Sequence, residues 1–227
     1  MINPRTLGAV CACLLAFLVA PTNAVTTFYD TQSGYLGALG GSSSTTYNFD
    51  ELDAGTLIAS GDTLNGATFS YSLSGPDNPS ILVDNYFNTT SPSNYLGTND
   101  SSGAFVGGDS FTVTFDHTMR AIGLYVISAD LILASDFTIT TNNGQSVSNT
   151  ASVDVSLADG EAYFIGLIED DYSLGFNSIT LSSLDAGYIF NVDNITVSQV
   201  PLPGAVWLLI SGILGLAGFS RYSISRA

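Results

Sequence analysis

From Leu202 to Ser220 the chain carries no charge over 19 residues, and all twenty of its acidic residues lie before this stretch. A helix of that length crosses the hydrocarbon layer of a bilayer with little tilt, since a span takes about 20 apolar residues. Pro201 and Pro203 stand where a helix begins and tolerates proline. Trp207 lies near the outer end, where an amphipathic ring suits the membrane–water boundary, and Arg221 and Arg226 after the run hold that side in the cytoplasm. Ser211, Gly212, Gly215 and Gly218 are small enough to let another helix approach closely. A transmembrane helix over 202–220 is expected, and whatever folds in water must be built from residues before position 200.

The other end narrows the interval further. Arg5 is the only charge before an almost wholly apolar run from Leu7 to Ala20, and Thr22-Asn23-Ala24 is a small-x-Ala pattern. A basic start, an apolar core and a small-residue cut site describe a secretory signal peptide, so residues 1–24 are read as one, with cleavage after Ala24. The run is short for a membrane span. Cys11 and Cys13 lie inside the apolar core rather than after it, which argues against a lipid-modified cysteine. Both leave with the signal, and the mature chain then has neither disulfides nor thiolate metal sites.

Between Val25 and Gln199 remain about 175 residues, enough for one domain with a real core. The interval holds all twenty Asp and Glu and a single base, Arg120, for a formal charge of roughly −19; the chain has no lysine. Such a field repels nucleic acid and anionic lipid surfaces, so no nucleic-acid partner is expected. It leaves cations and neutral sugars open, and its plainest role is solubility.

The interval reads as β. Phe111–Phe115 alternates apolar and polar residues as a half-buried strand does, and Ser152–Leu157 alternates too. Ile122–Ile127 and Tyr163–Ile168 are continuous apolar runs of strand length, suited to central strands covered on both faces. Turn chemistry separates them at Gly75-Pro76-Asp77-Asn78-Pro79, Gly107-Gly108-Asp109, Asn142-Asn143-Gly144 and Asp159-Gly160. Thr31–Thr46, rich in Gly, Ser and Thr, reads as a loop. No long window outside the termini shows a helical period. Many short strands with frequent turns predict a sandwich or jelly roll.

The C-terminal motif now carries a specific resemblance. Val200-Pro201-Leu202-Pro203-Gly204-Ala205-Val206-Trp207, the glycine-spaced apolar run and the closing Arg221 resemble the PEP-CTERM sorting signal, closest to its Val-Pro-Leu-Pro-Ala variant. Leu202 stands where the commonest form has Glu, Gly204 replaces Ala, and two separated arginines replace a basic cluster. The resemblance implies an exported protein of a Gram-negative bacterium that makes extracellular polysaccharide. It also implies exosortase as a partner, transient anchoring in the inner membrane, and passage to the envelope or the extracellular matrix. More loosely, Tyr47–Ile58, Leu64–Ser70, Phe111–Tyr125, Ala162–Ile168, Phe176–Leu181 and Tyr188–Val197 resemble exported sandwich domains that carry this tail. Those are similar in outline to carbohydrate-binding jelly rolls.

Candidate chemistry follows from the last strand. Asp193 has the parity of Ile195 and Val197, so in an unbroken strand its carboxylate leans toward an apolar face. A buried carboxylate must be paired, hydrogen-bonded or metal-bound, and Arg120 is the only base available. Calcium, which takes six to eight oxygen ligands, is the alternative. The jelly-roll resemblance implies Asp50, Glu51 and Asp193 as ligands of a structural calcium. A β-bulge at Asp193-Asn194 would instead turn the carboxylate to solvent. Glu169-Asp170-Asp171 is a second carboxylate run, expected at a loop tip, where a cation would relieve repulsion or water would solvate it. Tyr71, Tyr86, Phe87, Tyr95, Tyr125 and Tyr172 are candidate stacking surfaces for a sugar, or else core residues. His117, the single histidine, reads as part of a hairpin turn between two strands, and no nucleotide, zinc or phosphate-loop signature is present.

The sequence therefore predicts an all-β fold: a single β-sandwich or jelly-roll ectodomain over 25–199, flanked by an N-terminal signal helix over 1–24 and a C-terminal transmembrane helix over 202–220 within the sorting segment 200–227. Its expected role is non-enzymatic, structural or adhesive. The alternatives are a module binding exopolysaccharide and, behind it, an exported hydrolase.

Overall fold

The half-buried alternation at Phe111–Phe115 and the continuous apolar run Ile122–Ile127 belong to one 19-residue strand, Ser110–Ser128. The computed structural model describes residues 25–74, 79–184 and 187–200, together with Ser211. The expected signal helix and transmembrane helix lie outside these residues. Among the described residues no helix is long and apolar enough to cross a membrane.

In chain order the elements are β1 (Thr26–Tyr29), helix α1 (Gln32–Leu39), β2 (Ser44–Tyr47), β3 (Leu57–Ile58), β4 (Thr63–Leu64), β5 (Ala67–Ser72), β6 (Ile81–Asp84) and β7 (Tyr95–Thr98). They continue with β8 (Phe105–Val106), β9 (Ser110–Ser128), β10 (Phe137–Thr141), β11 (Ser146–Ser148), β12 (Val155–Ser156), β13 (Glu161–Glu169), β14 (Phe176–Ser183) and β15 (Ile189–Gln199). The fold is all-β and sandwich-like, with one short helix.

Strand β9 organises it. Its first half pairs with β5, which runs Ala67–Ser72 against Phe115–Ser110, and with β14 through Ser178–Ser182. Its second half pairs with β13 through Ala121–Ser128 and with β15 through Met119–Ile127. The exchange of neighbours falls at Asp116, His117 and Thr118, three consecutive exposed residues within the strand. The expected hairpin at His117 is therefore a corner in a continuous strand. A polar triplet between two apolar segments serves a strand that changes its neighbours as well as it serves a turn.

The inward faces of both halves meet in one core. It joins Phe69, Phe111, Val113, Ile139, Ile179 and Leu181 to Ile122, Leu124, Val126, Ile165, Leu167 and Val192. Each such side chain contributes about 1.5–3 kcal/mol by leaving water. The opposite face of β9 and β13 is also covered. Ala121, Tyr125, Ile127, Ala162, Phe164 and Ile168 pack against Tyr35 and Leu39 of α1. These two strands are thus buried on both faces, as their unbroken apolar runs predict.

Helix α1 and strand β2 replace the loop expected over Thr31–Thr46. Thr31 caps the helix by accepting from the Gly34 N–H, and Gly40 closes it at φ 61°, a left-handed conformation suited to glycine. The Tyr35 hydroxyl donates to Thr196 O at 3.0 Å, fixing the helix over β15. Of the alternating segment Ser152–Leu157, only Val155–Ser156 forms a strand.

Candidate functional site

Between the end of β6 and the start of β7 the chain runs through residues 85–94, Asn-Tyr-Phe-Asn-Thr-Thr-Ser-Pro-Ser-Asn, without regular structure. Proline and short polar side chains disfavour a ladder there, and hydroxyls supply donors in its place. Three carboxylates from distant parts of the sequence take up those donors.

The first is Asp193. It lies in β15 with no solvent exposure, at a register break where Asn194 adopts φ 50°. Its Oδ2 accepts from Thr89 Oγ1, from Thr90 Oγ1 at 2.9 Å and from the Ser91 N–H at 2.8 Å. Its Oδ1 accepts from the Asn194 N–H at 2.6 Å. Burial raises its pKa above the usual carboxylate range, against the opposing pull of the Thr89, Thr90, Ser91 and Asn194 donors. The bulge foreseen at Asp193-Asn194 is present, but the carboxylate turns into the loop and not to solvent.

The second is Asp50. Phe49 before it is buried and held at φ 63°, a strained conformation for a non-glycine residue. Asp50 Oδ1 accepts from Asn94 N at 2.9 Å, Ser93 N at 3.1 Å and Ser91 Oγ at 3.2 Å. Asn94 returns the contact by donating from its amide to Phe49 O at 3.1 Å and Leu52 O at 2.7 Å. The third is Asp159, whose two oxygens lie 3.3 and 3.0 Å from the Asn88 nitrogen.

The calcium expectation named Asp50, Glu51 and Asp193. The structure joins Asp50 and Asp193 through Ser91, which donates to both. Glu51 is exposed and lines a separate hollow of about 560 Å³ with Thr45, Tyr47 and Leu64. Asp193 is filled by hydrogen-bond donors, so the three residues do not fit one ion. Among the described residues no group of three or more His, Cys, Asp or Glu side chains is placed to hold a metal.

Pinned in this way, the loop presents aromatic rings. Tyr86 is 80 % exposed, and its ring meets Phe87 edge-on at 4.9 Å. Phe87 edges a hollow of about 200 Å³ whose lining includes Ile127 and Ile189, with Asp130, Asp159 and Asn191 among its polar groups. Asn191 is 5 % exposed, and among the described residues its Oδ1 has no hydrogen-bond partner. An apolar wall with a few oxygen acceptors suits a ligand that is apolar on one face and carries hydroxyls at its rim.

The other candidate residues sit elsewhere. Tyr95 and Tyr125 are core residues; the Tyr125 hydroxyl donates to Asp154 at 2.6 Å. Burial and the Asp154 carboxylate push its pKa up. Tyr71 donates to Ile58 O at 3.2 Å. The side chain of Tyr172 lies outside the described residues. His117 is exposed and lies 2.5 Å from Asp116; among the described residues no hydrogen bond joins it to a serine or threonine. Val200 follows β15 directly and donates its N–H to Thr118 O at 3.0 Å. Ala24 and the rest of the sorting motif, Pro201, Leu202, Pro203, Trp207 and Arg221, lie outside the described residues.

No family model and no curated protein matches the chain. Among solved structures it is similar to an exo-β-agarase at 14% identity and TM-score 0.35, over 66% of this chain and 26% of that one. It is also similar to the catalytic domain of a GH87 α-1,3-glucanase in complex with tetrasaccharides, at 10% identity and TM-score 0.30, over 66% and 29%. The chain thus spans less than a third of the length of either.

Proposed function

We propose that this chain is an exported cell-envelope or extracellular-matrix protein. In this reading it enters through the signal peptide 1–24 and is held in the inner membrane by 202–220. An exosortase then sorts it through the PEP-CTERM-type segment 200–227. Its β domain, jelly-roll-like in this reading, has a non-enzymatic structural or adhesive role. One observation carries the proposal: the folded domain fills the interval between the two expected signals. β1 opens at Thr26, two residues after the expected cut, and β15 ends at Gln199, one residue before the sorting motif. Deleting residues 201–227 in cells tests it. The expected result is loss of membrane retention and of the processed form. Unchanged destination and maturation would refute it.

A second reading, that the domain binds a neutral saccharide such as exopolysaccharide, is favoured by exposed Tyr86 beside the hollow edged by Phe87. Electrophoresis of the chain through gels containing exopolysaccharide tests it. Retardation that is lost in Tyr86→Ala supports it; no retardation of the parent chain rejects it.

A further inference from the structure

Glu169, expected at a solvated loop tip, is the last residue of β13 and has no solvent exposure, while Asp170 after it is exposed. Its register partner across the sheet edge is Thr26 of β1. Thr26 Oγ1 lies 3.0 Å from Glu169 Oε2 and 3.2 Å from Oε1 of Gln145, which sits in the turn between β10 and β11. A hydroxyl has one hydrogen, so Thr26 can donate to only one of these acceptors. Among the described residues Glu169 Oε1 has no hydrogen-bond partner. Turning the Gln145 amide over would supply an N–H to Thr26 and still leave Glu169 Oε1 bare.

The neighbouring charges that act on this carboxylate are negative. Burial raises the Glu169 pKa against the pull of the Thr26 hydroxyl, and the charges of Asp170 and Asp171 raise it further. A buried carboxylate without compensation is costly.

We propose that this corner binds a divalent cation of the calcium class. Glu169, Thr26 Oγ1 and Gln145 Oε1 are its protein ligands, and water completes the shell. The set is all oxygen, as calcium prefers, and spacings of 3.0 and 3.2 Å match neighbouring ligands about 2.3–2.6 Å from a common centre. Only one ligand is a carboxylate, so the site needs no cluster of acids; Asp170 and Asp171 add attraction from outside. The ion ties β1 to the end of β13 and to the β10–β11 turn. It is separate from the Asp50 and Asp193 loop.

The test uses the full chain in mild detergent, stripped with EDTA and then titrated with calcium chloride. Thermal unfolding is followed by circular dichroism, and bound calcium is counted by equilibrium dialysis. Binding to the folded state alone makes Tm climb with calcium concentration. One ion per chain is expected. Glu169→Gln should abolish the response, Gln145→Leu should weaken it, and Asp50→Asn should keep it. If Glu169→Gln does not fold, Gln145→Leu decides. A parent chain that neither binds calcium nor shifts its Tm overturns the proposal, as does a response that survives in Glu169→Gln or disappears in Asp50→Asn. A calcium-insensitive parent with a Glu169→Gln variant of higher Tm at neutral pH also overturns it, because a proton then neutralises the carboxylate.

Discussion

Asp193 shows how one side chain can hold a whole loop. Its oxygens collect two hydroxyls and two backbone N–H groups without any counter-charge among those donors. Replacing it with alanine strands the half-buried Thr89, Thr90 and Ser91 donors, and donors left bare cost about 1–3 kcal/mol in such substitutions. Asp193→Ala is therefore expected to lower unfolding free energy by about 3 kcal/mol in urea titrations, the upper part of that range. The same residue gives a pH signature. Its folded pKa is raised, so its stabilising effect is complete below the ordinary carboxylate value of about 4 and fades as pH climbs through the folded value. Glu169 acts in the same sense, while Asp100, where Ser102 and Thr98 donors outweigh burial, acts in the opposite one. Urea unfolding from pH 4 to pH 8 should show stability declining more gently in Asp193→Asn than in the parent chain. An equal or steeper decline in the variant would contradict the assignment.

Loop 85–94 owes its position to contacts that differ in how far they reach along the chain. Asp159 binds Asn88 from 71 residues away. Asp159→Ala should leave Tm within about 2 °C, since this contact is at the surface, yet speed hydrogen exchange at the Asn88 amide. Unchanged exchange there would show that Asp193 and Asp50 suffice. Sequence pattern reaches some of these features and not others. The burial of Asp193 was legible only in outcome, because the register break after it ends the parity with Ile195 and Val197, which share the core with Val192, while Asp193 is covered by loop 85–94. Its partners were not, since hydroxyl-rich loops bind carboxylates through tertiary placement that spacing does not encode. Strand β9 was legible in both halves from its change of apolar pattern, but its corner at His117 resembles a turn in composition. Helix α1 was hidden because only Tyr35 and Leu39 of its eight residues are buried, and its glycines suggest a loop.

The domain as a whole folds against its own charge. One arginine faces twenty carboxylates, so self-repulsion favours the expanded chain. Salt screens such repulsion over about 8–10 Å. Raising sodium chloride from 20 to about 300 mM should lift Tm by about 2–4 °C, near 1 kcal/mol for a domain of this size. A Tm that falls with salt would show that attractive pairs dominate instead. The arrangement of β1 bears on when this fold can close. Val25 O accepts the Asp170 N–H, and the ladder to β13 begins at Thr26. Scission after Ala24 would fall within two residues of that paired edge, and a processing protease works on an unpaired, extended backbone. If a leader is removed there, its severing and the seating of the first strand would compete for the same few peptide groups, and maturation would then act as a clock that starts the final step of assembly.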